Sequence, residues 1–125
     1  MPSPGLLPMH YAPRAPMTLY QGKAAATRKA LADAVRHGRA AGRRVGVLAS
    51  AGDVSILQGL GAVVAEVGAD DDAETIAARL YAALRELDAA EVDDIVAREP
   101  LRSDGLWRAL RDRLRRAAAH VVAVE

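Results

Sequence analysis

Four times between residues 17 and 118, a short apolar run gives way to a longer stretch with helical periodicity. That alternation restricts the fold more than any other feature of the chain. Met17-Thr18-Leu19-Tyr20-Gln21 is a strand candidate closed by Gly22. From Lys23 to about Ala41, Ala24, Thr27, Leu31, Ala34 and Val35 recur at 3.6 spacing. Arg28, Lys29, Arg36 and Arg39 fall elsewhere, and Gly42 stops the helix. Arg44 to Ala49 is a continuous rather than alternating apolar run, which predicts a strand buried on both faces. A short helix is expected from Val54 to about Leu57, with Ser50 as its cap and Asp53 at the positive end of its dipole. Ala62 to Val67 is a third strand, ended by Gly68.

A strong helix is predicted over Ala73 to Leu87, with Ile76, Leu80, Leu84 and Leu87 on one face. Asp71 and Glu74 are spaced as a capping box in front of it. Val92 to Ala97 is the fourth strand, and its two acids, Asp93 and Asp94, predict an edge or half-exposed position. Ser103 is placed to cap a last helix from Asp104 to about Ala118, and the tail from His120 is apolar enough for a short fifth strand. Strand–helix alternation closes through right-handed crossovers. The expected fold is therefore α/β: a small Rossmann-like three-layer sandwich, its mostly parallel sheet of four to five strands covered by helices on both faces.

Residues 17–125 read as that domain, and residues 1–16 read as a separate strap. Five prolines fall between Pro2 and Pro16, each fixing φ and biasing the residue before it away from helix. Leu6, Leu7, Met9 and Tyr11 make the strap apolar, so it needs a surface to lie on. With four aromatics in 125 residues, the core must be built of Ala, Val, Leu and Ile. A net charge of +1 sets up no global field toward nucleic acid or an anionic membrane. The absence of cysteine excludes disulfides, thiolate metal sites and cysteine nucleophiles. No secretory pattern and no apolar run near the roughly 20 residues of a membrane span are present, so a cytoplasmic location is expected.

Candidate sites divide quickly. A dinucleotide site needs a glycine-rich turn between a strand and a helix. Gln21-Gly22-Lys23-Ala24 has one glycine, Asp53 would repel a phosphate in the second turn, and Gly59 and Gly61 precede a strand. Asp70, Asp71 and Asp72 fit a helix-capping cluster better than a hard-cation site, which needs more converging oxygens. His10, His37 and His120 lie in three separate segments with no partner at i+3 or i+4, so neither a metal site nor a triad is expected. His37 suits the last turn of its helix. Arg108, Arg111, Arg113, Arg115 and Arg116 make the last helix basic, but Asp104 and Asp112 interrupt it and no aromatic platform accompanies it. Trp107 reads as packing or an interdomain contact. The adjacent His10-Tyr11 stays open between a functional pair and a plug in which Tyr11 fills a crevice and His10 meets a carbonyl.

Ser3-Pro4-Gly5-Leu6-Leu7-Pro8-Met9-His10-Tyr11-Ala12-Pro13-Arg14-Ala15-Pro16 resembles the interdomain linker of the two-domain L-threonylcarbamoyladenylate synthases, the YrdC-like family. Leu80 to Asp88 and Gly105 to Ala118 are similar to two stretches of that family's C-terminal accessory domain. Leu7-Pro8 stands where many members have Lys-Tyr, and Trp107 where glycine is common. The resemblance implies a family that makes threonylcarbamoyl-AMP from threonine, bicarbonate and ATP, for the t6A modification of tRNA. It places the catalytic residues, ATP and Mg in a YrdC-like N-terminal domain, none of which this sequence contains, so no catalytic residue, metal or cofactor is expected here. It further implies that Ser3, Pro4, Gly5, His10 and Tyr11 gate the ATP and threonine site of that domain.

Three functions are therefore weighed. The first is a non-catalytic accessory domain partnered by a YrdC-like catalytic domain in cis or in trans. The second is a tRNA- or protein-docking module of the t6A machinery, using Arg108, Arg111 and Arg115. The third is a domain with a small-molecule site of its own.

Overall fold

The computed structural model describes residues 11–125. The strap calls at Ser3, Pro4, Gly5 and His10 lie outside the described residues. Five parallel strands form one sheet: β1 (Met17–Gln21), β2 (Val45–Ser50), β3 (Val63–Gly68), β4 (Asp94–Arg98) and β5 (His120–Ala123). Their order across the sheet is β3-β2-β4-β1-β5. Four α-helices connect them: α1 (Ala24–Ala40), α2 (Val54–Gly59) behind a 3-10 turn, α3 (Ala73–Ala89) and α4 (Leu106–Ala117).

The helices split between the two faces because the chain turns back once. After β1 it winds through β2 to β3, then returns to insert β4 between β2 and β1. The α1 and α2 face buries Leu31, Val35 and Leu57 against Val45, Val47, Ala49 and Val96. The α3 and α4 face buries Leu80, Leu84, Leu87, Trp107, Leu110 and Leu114 against Leu19, Leu48, Ile95 and Ala97. Successive β4 residues thus point to opposite cores, as strand pleating requires. All of β2 is buried, as its continuous apolar run predicts. At the far edge β5 is exposed throughout. No helix of the described residues is long and apolar enough to cross a membrane.

The expected edge position of the fourth strand is wrong, because β4 is central. Its acids sit at the mouth of the strand and are met by the arginines that lead into β2. The Arg43 guanidinium donates to both Asp94 oxygens at 2.6 and 3.0 Å, and Asp93 accepts from the Arg44 amide at 2.7 Å. Charge at a strand end therefore says nothing about the burial of its middle.

Capping also differs from the sequence reading. α3 is capped by Asp72, which accepts from the Thr75 amide at 3.1 Å and its hydroxyl at 2.7 Å, one residue beyond the expected Asp71. α4 starts behind Gly105 at φ 53°, a left-handed conformation suited to glycine, with no side-chain cap from Ser103. Ser50 caps nothing and instead bonds to Asp53 and Arg98.

The described end of the strap is part of the domain. Ala15 is buried in the α3 and α4 core, and the Pro16 carbonyl accepts from the Ile95 amide at 3.0 Å, extending the β1–β4 ladder. A close approach between core side chains and backbone lies under β2. A Cβ on Gly46 would stand 3.0–3.2 Å from Leu87 and Val92. Gly46→Val should therefore overpack this face and cost about 1–3 kcal/mol, read as a lower urea midpoint at unchanged slope.

Candidate functional site

In an open parallel sheet the crevices lie at the carboxyl ends of the strands, where neighbouring connections leave for opposite faces. Here β2 leads to α2 on one face, and its neighbour β4 leads to α4 on the other. A cavity of about 260 Å³ opens at that point, between α3, α4 and the 99–105 loop. Its floor is apolar, with Leu48, Val67, Leu80, Ala97 and Trp107 among the lining residues.

Two buried carboxylates hold its rim together. Asp53, 6 % exposed, accepts from Arg28 of α1 at 3.0 Å and from Arg98 at the end of β4 at 2.8 Å. Arg98 also donates to the Ser50 hydroxyl at 2.9 Å and to Asp70, beyond β3, at 3.2 Å. One guanidinium thereby ties together the carboxyl ends of β2, β3 and β4. Glu99, 4 % exposed, accepts from Arg115 at 2.7 and 3.0 Å, lies 2.9 Å from Arg111, and receives Gln21 at 3.2 Å. Burial alone would push the Glu99 carboxyl up. The hydrogen bonds from Arg115 and Gln21, with the charges of Arg111 and Arg115, outweigh it and hold the group below its usual range.

The opposite end of the sheet carries the strap. The Tyr11 hydroxyl donates to Asp88 at the end of α3, and the Tyr11 ring meets Tyr81 edge to face at 6.5 Å. The Arg14 amide donates to the same carboxylate at 3.0 Å, and the Arg14 guanidinium to the Asp88 carbonyl at 3.2 Å. Burial, the hydrogen bond to Asp88 and that carboxylate's charge push the Tyr11 phenol from 10.0 up to about 12. The phenol stays protonated and donating at any physiological pH.

The residues singled out by sequence are thus dispersed. Tyr11 lies at the amino edge of the sheet. Arg111 and Arg115 neutralise Glu99 at the carboxyl edge, and Arg108 is exposed. His37 and His120 are exposed in separate elements. Of the aspartate run, Asp72 caps α3 while Asp70 joins Arg28 and Arg98. Trp107 is buried under the Arg102 guanidinium, which stands 5.9 Å from its ring. Sequence reasoning missed Arg98, Glu99 and Asp88. The signal for the first two was a charged pair directly after an apolar parallel strand.

The family model described as threonylcarbamoyl-AMP synthase, C-terminal domain, matches residues 1–119. The threonylcarbamoyl-AMP synthase of Bacillus subtilis (strain 168) is 34% identical over 116 residues, which are 93% of this chain and 32% of that protein. That of Pyrococcus abyssi (strain GE5 / Orsay) is 32% identical over 119 residues, which are 94% of this chain and 32% of that protein. The chain therefore spans about a third of the length of these curated relatives. A crystal structure of P. abyssi Sua5 complexed with L-threonine superposes with a TM-score of 0.74 at 28% identity, covering 94% of this chain and 32% of that one. A structure of the C-terminal Sua5 domain from Pyrococcus horikoshii shares the fold, with a TM-score of 0.66 at 24% identity, over 90% of this chain and 99% of that one.

The depressed Glu99 carboxyl contributes stability above the usual glutamate pKa of about 4.3, and that contribution is lost as pH falls through the lower folded value. Glu99→Gln should therefore lower the melting temperature at pH 7 and flatten the loss of stability below about pH 4, measured by thermal unfolding across pH.

Proposed function

This chain belongs to the threonylcarbamoyl-AMP synthase C-terminal domain family, and from that premise we propose that it is the non-catalytic accessory domain of such a synthase. The synthase joins threonine, bicarbonate and ATP into threonylcarbamoyl-AMP and releases pyrophosphate, supplying the t6A modification of tRNA. The chemistry is assigned to a YrdC-like catalytic domain acting in cis or in trans. ATP and Mg belong with that domain, because the turns of this sheet make a poor phosphate cradle. The turn after β1 holds a single glycine, and the carboxylate of Asp53 stands at the start of α2.

The strap is the working part of this accessory role, with Ser3, Pro4, Gly5 and His10 closing over the pocket of the catalytic domain from an anchor at Tyr11. The observation that carries this reading is the anchorage at Asp88. Tyr11 and Arg14 bind one carboxylate from two sides, which fixes where the strap leaves the domain. Ser3 lies eight positions before Tyr11 and so stands at most about 29 Å from that anchor, near enough to lie across a neighbouring pocket. Closure of that kind excludes water from a carbamoyl-adenylate that water would destroy.

The docking-module reading has less in its favour. Of its three arginines, Arg111 and Arg115 already neutralise Glu99. Binding of tRNA at moderate salt that fell with Arg108→Ala would revive it.

The proposal is tested by pyrophosphate release from ATP with threonine and bicarbonate. The chain alone should release none, and turnover by it alone would overturn the assignment. In a protein carrying both domains, Asp88→Ala should lower kcat and raise KM together, as expected of a loosened gate, with the fold unchanged by circular dichroism.

A further inference from the structure

The cavity at the carboxyl ends of β2, β3 and β4 takes no part in the gating just described. The strap is anchored at Asp88, the last turn of α3, whereas Ile76 and Leu80 of the same helix's first turns line the cavity. We propose that this cavity is a binding site for a small monocarboxylic acid with an apolar or aromatic body, held with its ring over the floor and its carboxylate at Arg98.

Size and lining define the body of the ligand. About 260 Å³ is ample for one substituted ring, since an apolar cavity of about 150 Å³ already holds benzene. Leu48, Val67, Leu80 and Ala97 offer such a ring no polar partner, so its apolar body is what they select.

Charge defines the head. Arg98 is 11% exposed along its side chain and spends Nε and Nη2 on Asp53, Ser50 and Asp70. Its Nη1 has no hydrogen-bond partner among the described residues, and the side chain lines the cavity. Asp53 is shared with Arg28, and Glu99 is met by Arg111 and Arg115, so the free Nη1 of Arg98 is a cationic donor left to a ligand, and a single carboxylate is the acceptor it suits. A phosphate dianion is disfavoured, because Asp53 and Asp70 flank Arg98, and Asp71, Asp72 and Glu74 line the outer hollow beyond Trp107. Arg102 lies over the Trp107 ring and among the described residues pairs with the exposed Asp104 alone, so it can swing aside to admit a ligand and return as a cover.

Trp107 is the only tryptophan of the chain and lines the cavity, so its emission reports occupancy directly. The full chain is titrated with phenylacetate, with phenylacetamide and toluene as uncharged probes, and with phenyl phosphate as the dianion. Phenylacetate should give a saturable change at least tenfold tighter than the amide, and phenyl phosphate should bind more weakly still. Ala97→Leu, which fills the floor, should abolish the phenylacetate response, and Arg98→Gln should erase its advantage over the amide. If Arg98→Gln does not fold, the acid-to-amide ratio in the unaltered chain decides alone. Equal affinity for acid and amide, tighter binding of phenyl phosphate, or no response to millimolar phenylacetate would each overturn the proposal. None of these outcomes bears on the synthase assignment, which pyrophosphate release tests separately.

Discussion

The carboxyl end of β4 carries the most demanding interaction in the molecule. Arg98 ends a strand buried on both faces, Glu99 follows it, and each is pinned by opposite charge from other elements. A buried carboxylate is tolerated only where it is paired and hydrogen-bonded. Asp53 and Glu99 meet that condition by drawing in two arginines each, from α1, β4 and α4. The parallel strands supply no hairpins to hold this edge of the sheet together, and the two ion clusters do so instead. They also explain why a cavity persists there. The rim is fixed by charge, and the floor is apolar where Leu80 of α3 and Trp107 of α4 line it.

The opposite edge obeys the same rule with a different outcome. Asp93 and Asp94 are satisfied by Arg43 and Arg44, which sets the register where β2 and β4 begin. Asp88 is satisfied by the strap. The strap's last described residues thus behave as a sixth element of the domain, with Ala15 in the core and Pro16 continuing the ladder. A linker fixed in this way carries position from one end of α3 to whatever lies upstream, and that is the physical content of the gating proposal.

The layers of the fold were legible in the sequence because they depend on periodicity. Leu80, Leu84 and Leu87 mark the inner face of α3, and the unbroken run of β2 marks a strand covered twice. The place of β4 was not legible. Asp93 and Asp94 look like solvent-facing residues until Arg43 and Arg44, about 50 positions away, are brought beside them. The same limit hid the candidate cavity. Nothing local tells that Arg98 bridges Asp53 and Asp70, or that Arg111 and Arg115 face inward to Glu99 rather than outward to a partner. Tyr11 was recognised as an unusual residue of the strap. Its partner Asp88 looked like a helix terminus, because the contact spans 77 positions.

The most direct test of the central claim adds this chain to a separate YrdC-like catalytic domain and follows threonylcarbamoyl-AMP formation. The full chain should raise the yield of intact product, and a chain lacking residues 1–11 should not, although both fold. Equal yields with the two chains would contradict a strap that gates the catalytic site.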